Sequence, residues 1–395
     1  MKHLLAALLA VLVASSALAI TPGTDLYVPA VGHGVGAVVN GIQAWWRSDV
    51  WIFNPSTTQA ATVDISLLLR KQANPNPAVR RITVNAGETR YLQDIVGPTP
   101  GLFNLDNTYG GLRIVSTIPV AVSGRSYDAN VTVTGKGQGT AGQFFSGVPA
   151  SLAIGPGDST DVFGLDQDGF QTTGNWRSNL AFVETTGNPV ELTIQRIDSD
   201  GTVLGSIPFD LLGRQVDQIN YVVTAIASSY GANQRIRVTV TGGTGRAIVN
   251  ASRLDNRTGD PTTIEMVGEG RAGTYVCKQD KAVYETPITL TVANGAITAI
   301  DATIVFTDED VTACGDAAEL LRLSGPLPQP VFYDGNGSFS FVLSNPNVGG
   351  VGVSLQVNGT ISVTGQVSGT ATTTLSGADL CSGTKTWPLV GAKLR

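Results

Sequence analysis

Along "WWRSDVWIF" (residues 45–53) the residues separate into two alternating sets, with the period of two that sends successive side chains of a β-strand to opposite faces. "PITLTVANGAITAIDATIVF" (287–306) alternates in the same way on either side of Asn294-Gly295, the residue pair of a type I′ hairpin turn. Long amphipathic runs of helical period are missing, Val, Ile and Thr are abundant, and turn residues recur about every ten positions. This is the pattern of β-sandwiches, and it predicts an all-β chain without helices in its first two thirds. The 395 residues suit two or three domains, each large enough for its own core.

The strand "WWRSDVWIFNPST" (45–57) has an echo in "NWRSNLAFVETT" (175–186). Further segments repeat in the same order: "LYVPA" with "SGVPA", "ATVDISLLL" with "NPVELTIQRI", "ITVNAGETRYLQDIV" with "IPFDLLGRQVDQINYVV", and "GLRIVSTIPVAVSGRSYD" with "RIRVTVTGGTGRAIVNASRLDN". The chain therefore contains two copies of one module, at 22–143 and 144–268, followed by a different segment at 271–395.

Sorting the repeated strand by parity separates a shared face from a divergent one. Trp46, Ser48, Val50 and Ile52 match Trp176, Ser178, Leu180 and Phe182, which reads as an inner face with Trp as core filler. The other face carries Trp45, Arg47, Asp49, Trp51 and Phe53 in the first copy, but Asn175, Arg177, Asn179, Ala181 and Val183 in the second. If exposed, the first set is an aromatic strip able to stack on sugar rings, with Arg47 and Asp49 placed for hydroxyl groups. Cover by a neighbouring module is the competing reading. Arg113 and Arg125 align with Arg237 and Arg253, and strand-end pairing with Asp49, Asp128 or Asp255 accounts for them better than anion binding does.

The third segment carries "GTYVC", "NGAI", "ACGD", "NGSFSF", "VNGTISVTGQVSGTATTTL" and "CSGTKTW". It resembles a β domain found at the C-terminus of many secreted bacterial proteins, which implies a small antiparallel sandwich or barrel. The tandem modules resemble immunoglobulin-like repeats of secreted bacterial proteins. Neither resemblance implies an activity. All three cysteines lie in this last segment. Cys314–Cys381 is the favoured disulfide, because both stand beside turn residues and the related domain has cysteines in those places. Its loop would stabilise by about 4 kcal/mol on the chain-entropy account. Cys277 would then be a buried thiol, with Cys277–Cys381 as the alternative pairing.

Composition narrows the function classes. The N-terminus, "MKHLLAALLAVLVASSALA", has a basic start, a short apolar stretch and an A-x-A cleavage pattern, so residues 1–19 read as a signal peptide and not as a membrane anchor. The mature chain is expected to be secreted or periplasmic, with no transmembrane segment after cleavage. A net charge of −6, with only 14% charged residues, argues against nucleic acid as a partner. The chain has two histidines, and only His33 follows the leader, in the Gly-rich "VGHGVGA" where a solvated turn is expected. With no G-x-S-x-G elbow, no C-x-x-C spacing and no His pair, triad and zinc chemistry have no raw material. "DQDG" (166–169), "DSDG" (198–201) and "TDEDVTACGD" (307–316) read as turns and do not complete a calcium loop. No cofactor is expected. The sequence thus predicts a secreted, non-catalytic structural or adhesive protein, with a cell-surface glycan or protein as its partner. A carbohydrate-binding protein using the Trp45/Trp51 face is the alternative, and a hydrolase with an unrecognised carboxylate pair the third reading.

Overall fold

The computed structural model describes residues 22–39, 41–133, 137–267, 273–279, 288–293, 296–305, 320–333, 338–348, 351–361, 365–377 and 382–394. The expected signal peptide, the 307–316 cluster, and Cys314 and Cys381 with their expected disulfide all lie outside the described residues. The chain is all-β, built from antiparallel sheets.

The first module comprises β1 (Gly23–Val39), β2 (Ile42–Phe53), β3 (Ala61–Leu69), β4 (Ala78–Val84), β5 (Thr89–Leu92), β6 (Thr108–Val133) and β7 (Gly137–Ser146). One layer runs β4-β3-β6-β1 and the other β5-β2-β6-β7, because the long strands β1 and β6 cross from layer to layer. Strands that switch sheets in this way make the corners of a sandwich. Alternate residues of each layer meet in one core, with Val63, Ile65, Leu112 and Ile114 facing Val50, Ile52 and Val122. Since β7 pairs with β6 as far as Ser146, the first module runs past the expected boundary at 143.

The second module repeats the plan with β9 (Ser159–Gln167), β10 (Trp176–Glu184), β11 (Val190–Ile197), β12 (Val203–Leu211), β13 (Val216–Ile219), β14 (Gly231–Gly243), β15 (Ala247–Asp255) and β16 (Pro261–Glu265). Its layers run β12-β11-β14-β9 and β13-β10-β15-β16, the first module's order with β14 and β15 standing for the two halves of β6. The strand "WRS" repeats because Ser48 and Ser178 do the same work. Ser48 Oγ accepts from Gly32 N at 2.8 Å and donates to Gly32 O, while Ser178 Oγ accepts from Asp166 N and donates to Asp166 O at 2.8 Å.

Two expectations about these modules are corrected. Trp46 and Trp176 are half-buried at the sheet ends and belong to neither core, because the cores close on Val50 and Ile52, and on Leu180 and Phe182. A one-turn helix, α1 (Val222–Ile226), follows β13. It is held by Arg196, which stands where the first module has Leu67, as the matching β11 and β3 registers show. Arg196 is 1% exposed and donates to the carbonyls of Val223, Ala227, Ser229 and Tyr230 and to Gln234 Oε1.

The modules dock along a dry seam. A two-residue strand, β8 (Val148–Pro149), pairs with β1 and leads across. Tyr27 and Leu68 of the first module pack on Val183, Val216 and Ile248 of the second, and Tyr27 Oη donates to Thr185 O at 2.7 Å.

The last segment comprises β17 (Gly273–Gln279), β18 (Ile288–Ala293), β19 (Ala296–Val305), β20 (Leu320–Phe332), β21 (Ser338–Val348), β22 (Val351–Ile361), β23 (Gln366–Gly377) and β24 (Ser382–Lys393). They form one sheet in the order β20-β19-β18-β17-β24-β23-β22-β21, in which the last strand pairs with the first. All eight contribute to a single core that includes Tyr275, Leu290, Ile300, Leu327, Phe341 and Leu355, so the sheet curls around its own apolar face as a barrel does. Cys277 is a free thiol within that core. Tyr333 Oη donates to Asp158 Oδ1 at 3.0 Å, tying this domain to the second module.

Candidate functional site

The divergent face of the repeated strand can be compared position by position, because β2 and β10 pair with equivalent neighbours in equivalent register. Phe53 lies opposite Thr89 and Ala121, as Val183 lies opposite Val216 and Ile248. In the second module those three residues form the seam and are 0–4% exposed. The small apolar side chains of copy two are therefore an interface. Among the described residues, the second module reaches the same face of the first module only at its β7 edge, where Ser146 Oγ donates to Glu265 Oε1 at 2.5 Å and Thr263 Oγ1 donates to Phe144 O. Away from that edge Phe53 is 40% exposed, and Tyr91, on the neighbouring strand, is 47% exposed.

The five residues singled out from sequence divide between surface and support. Trp51 is half-buried and stacked on Tyr91, with ring centroids 5.1 Å apart. Trp45 is half-buried with its ring edge-on to His33 at 5.6 Å. Asp49 is buried, accepting from Asp94 N at 2.8 Å, Tyr91 Oη at 3.0 Å and Tyr127 Oη at 3.4 Å. Arg47 Nε lies 3.7 Å from Asp94 Oδ2. Asp49 is thus committed to holding the aromatic side chains and is not presented to a ligand's hydroxyl groups. The Tyr91 hydroxyl is pushed up to about 12 by lost hydration and then by the Asp49 carboxylate, so the ring keeps a neutral, inward-facing hydroxyl.

Tyr91, Phe144 and Arg125 share this face through the pairings Trp51–Tyr91, Asp49–Arg125 and Arg125–Phe144. Sequence reasoning missed Tyr91 and Phe144, because their strands are placed on this face only once register is known. The Arg125 guanidinium lies over the Tyr127 ring at 4.7 Å and donates to Thr140 Oγ1.

Several expectations about charged groups change. His33 is buried, not a solvated turn residue, with Nδ1 2.9 Å from Asp94 Oδ2 and Nε2 3.5 Å from Asp106 Oδ1. Arg125 and Arg253 are not equivalent. Arg125 stands opposite Asp49 and Arg253 opposite Ser178, one residue out of step and hence on opposite faces. Arg113 and Arg237 are equivalent, and both are paired, but with Asp25 and Asp161 of the first strands; Arg253 pairs with Asp166. The Asp-Gly turns are closed by their own backbones: Asp168 accepts from Asn175 N and Trp176 N, and Asp198 from Ser199 N. Among the described residues no group of three or more His, Cys, Asp or Glu side chains could hold a metal ion, and no helix is long and apolar enough to cross a membrane.

No family model matches the chain, and no curated protein matches it. Among solved structures, the chain is similar to one titled "Crystal Structure of Thermotoga maritima 1070", at 14% identity over 31% of this chain and 92% of that one. The TM-score is 0.21, too low to carry an argument.

Proposed function

We propose that this is an extracytoplasmic, non-catalytic structural or adhesive protein that attaches to a partner protein through the open sheet face of its first module. The observation that carries this reading is the contrast at equivalent positions. The position that Val183 seals in the seam between modules is held in copy one by the exposed ring of Phe53. Phe53 and Tyr91, on adjacent strands, give this face the exposed apolar surface that soluble proteins seldom keep without a partner. Export is supported by the leader pattern of residues 1–19.

A second reading, glycan binding at the same face, is favoured by Tyr91, whose ring is exposed and backed by Trp51. The two are separated by a photo-reactive residue at position 91 of the full chain, cross-linked on intact producing cells. A discrete protein adduct is expected. Cross-linking to polysaccharide alone would favour the glycan, and no adduct would remove both readings. N-terminal sequencing of the exported protein is expected to begin near Ile20.

A further inference from the structure

The seam between the modules is dry at one end and opens into a cleft of about 500 Å³ at the other, within the size range of small-molecule sites. The change follows β10 along one face: Val183 and Ala181 are buried against the first module, while Asn179 and Arg177 line the cleft. Across from them stand Trp46, Ser48 and Gln143 of the first module, with Tyr109 nearby.

The cleft is rich in donors and poor in negative charge. Its lining includes two guanidinium groups, five carboxamides and several hydroxyls, but no Asp or Glu. Arg70 is answered by Asp217 at 3.4 Å, whereas Arg177, among the described residues, has no carboxylate partner and donates to the amide oxygen of Asn256. Burial depresses the Arg177 pKa, which marks a cation short of countercharge. Gln218 and Gln171 spend their NH2 groups on Asn220 Oδ1 and Val38 O, but Asn179, Asn220 and Gln143 accept through their oxygens, from Tyr221 N, Gln218 Nε2 and Thr263 Oγ1, and keep their NH2 groups for a ligand. Where the cleft meets the dry seam, Asn250 is 4% exposed and neither its Nδ2 nor its Oδ1 has a partner. It stands two residues before the cleft residue Ser252 in β15, on the same face.

We propose that this cleft binds a carboxylated saccharide. Arg177 would take the carboxylate, the unclaimed NH2 groups would donate to ring and hydroxyl oxygens, and the Trp46 ring supplies an apolar wall for a sugar face. The site is separate from the open face of the first module and does not depend on that assignment.

Titration calorimetry on the full chain, with sodium glucuronate and sodium galacturonate as probes against glucose, inorganic phosphate and acetate, tests this. Saturable binding of at least one uronate is expected, at least tenfold tighter than any control. Arg177→Gln should weaken it tenfold or more. Since Arg177 also anchors Asn256, Asn220→Trp serves as a second variant: it fills the cleft from an exposed rim position and should abolish binding at an unchanged melting temperature. The proposal is overturned if neither uronate binds, if glucose, phosphate or acetate binds as tightly, or if uronate binding survives Asn220→Trp.

Discussion

Phe53 and Val183 occupy the same position in two copies of one sandwich, and only Val183 is covered. Val183 packs under Tyr27 and Leu68 of the preceding module, while Phe53 stands 40% exposed. A module that docks by a sheet face in this way builds a tandem array in which each copy covers the next, and the leading copy keeps the same face open.

The paired serines should be equally important in both modules. Ser48→Ala leaves Gly32 N and O without their side-chain partner, and Ser178→Ala does the same at Asp166. Each is expected to cost about 1–3 kcal/mol in chemical denaturation, the range for stranding buried hydrogen-bonding groups. A cost in one module only would mean that the repeat of this strand has another cause.

Arg196 marks where the second module departs from the first. Arg196→Met, which keeps the stem and removes the guanidinium, strands four carbonyl groups around α1 and the loop after it. A loss of about 2–4 kcal/mol is expected, together with faster amide exchange confined to residues near 222–230. Leu67→Met at the equivalent position should cost under about 1.5 kcal/mol, as volume-conserving core changes do.

Burial pushes the Cys277 thiol up to about 12. The folded chain therefore favours the protonated thiol, and this stabilisation is full below the ordinary value of 9.0 and lost as pH rises from there toward about 12. Cys277→Ala should flatten the alkaline fall in melting temperature across that window. At pH 8 iodoacetamide should label Cys277 far more slowly in native than in unfolded protein. The same digest without reductant is expected to show Cys314 joined to Cys381, and a Cys277–Cys381 peptide would contradict both expectations.

The repeat was legible because the two copies share strand pattern, and strand pattern follows from which face is buried. Trp46 and Trp176 were misplaced because alternation tells which face a residue is on but not how far along the strand the core extends. Asp49 was misjudged for a related reason. Nothing local to β2 shows that Tyr91, Asp94 and Tyr127, all distant in sequence, converge on its carboxylate. The inter-module cleft was invisible altogether. Arg177 and Asn179 read as an outer face, and only the docking of two modules turns that face into one wall of a cavity.

The most direct test compares Phe53→Ser with Val183→Ser in the full chain, measuring melting temperature and retention on the envelope of producing cells. Val183→Ser should lower stability by about 1–3 kcal/mol, as expected for a polar group placed in a dry seam. Phe53→Ser should leave the melting temperature within about 1 °C while retention falls at least severalfold. If Phe53→Ser instead unfolds the first module, or retention is unchanged at full stability, the open face is not where this protein meets its partner.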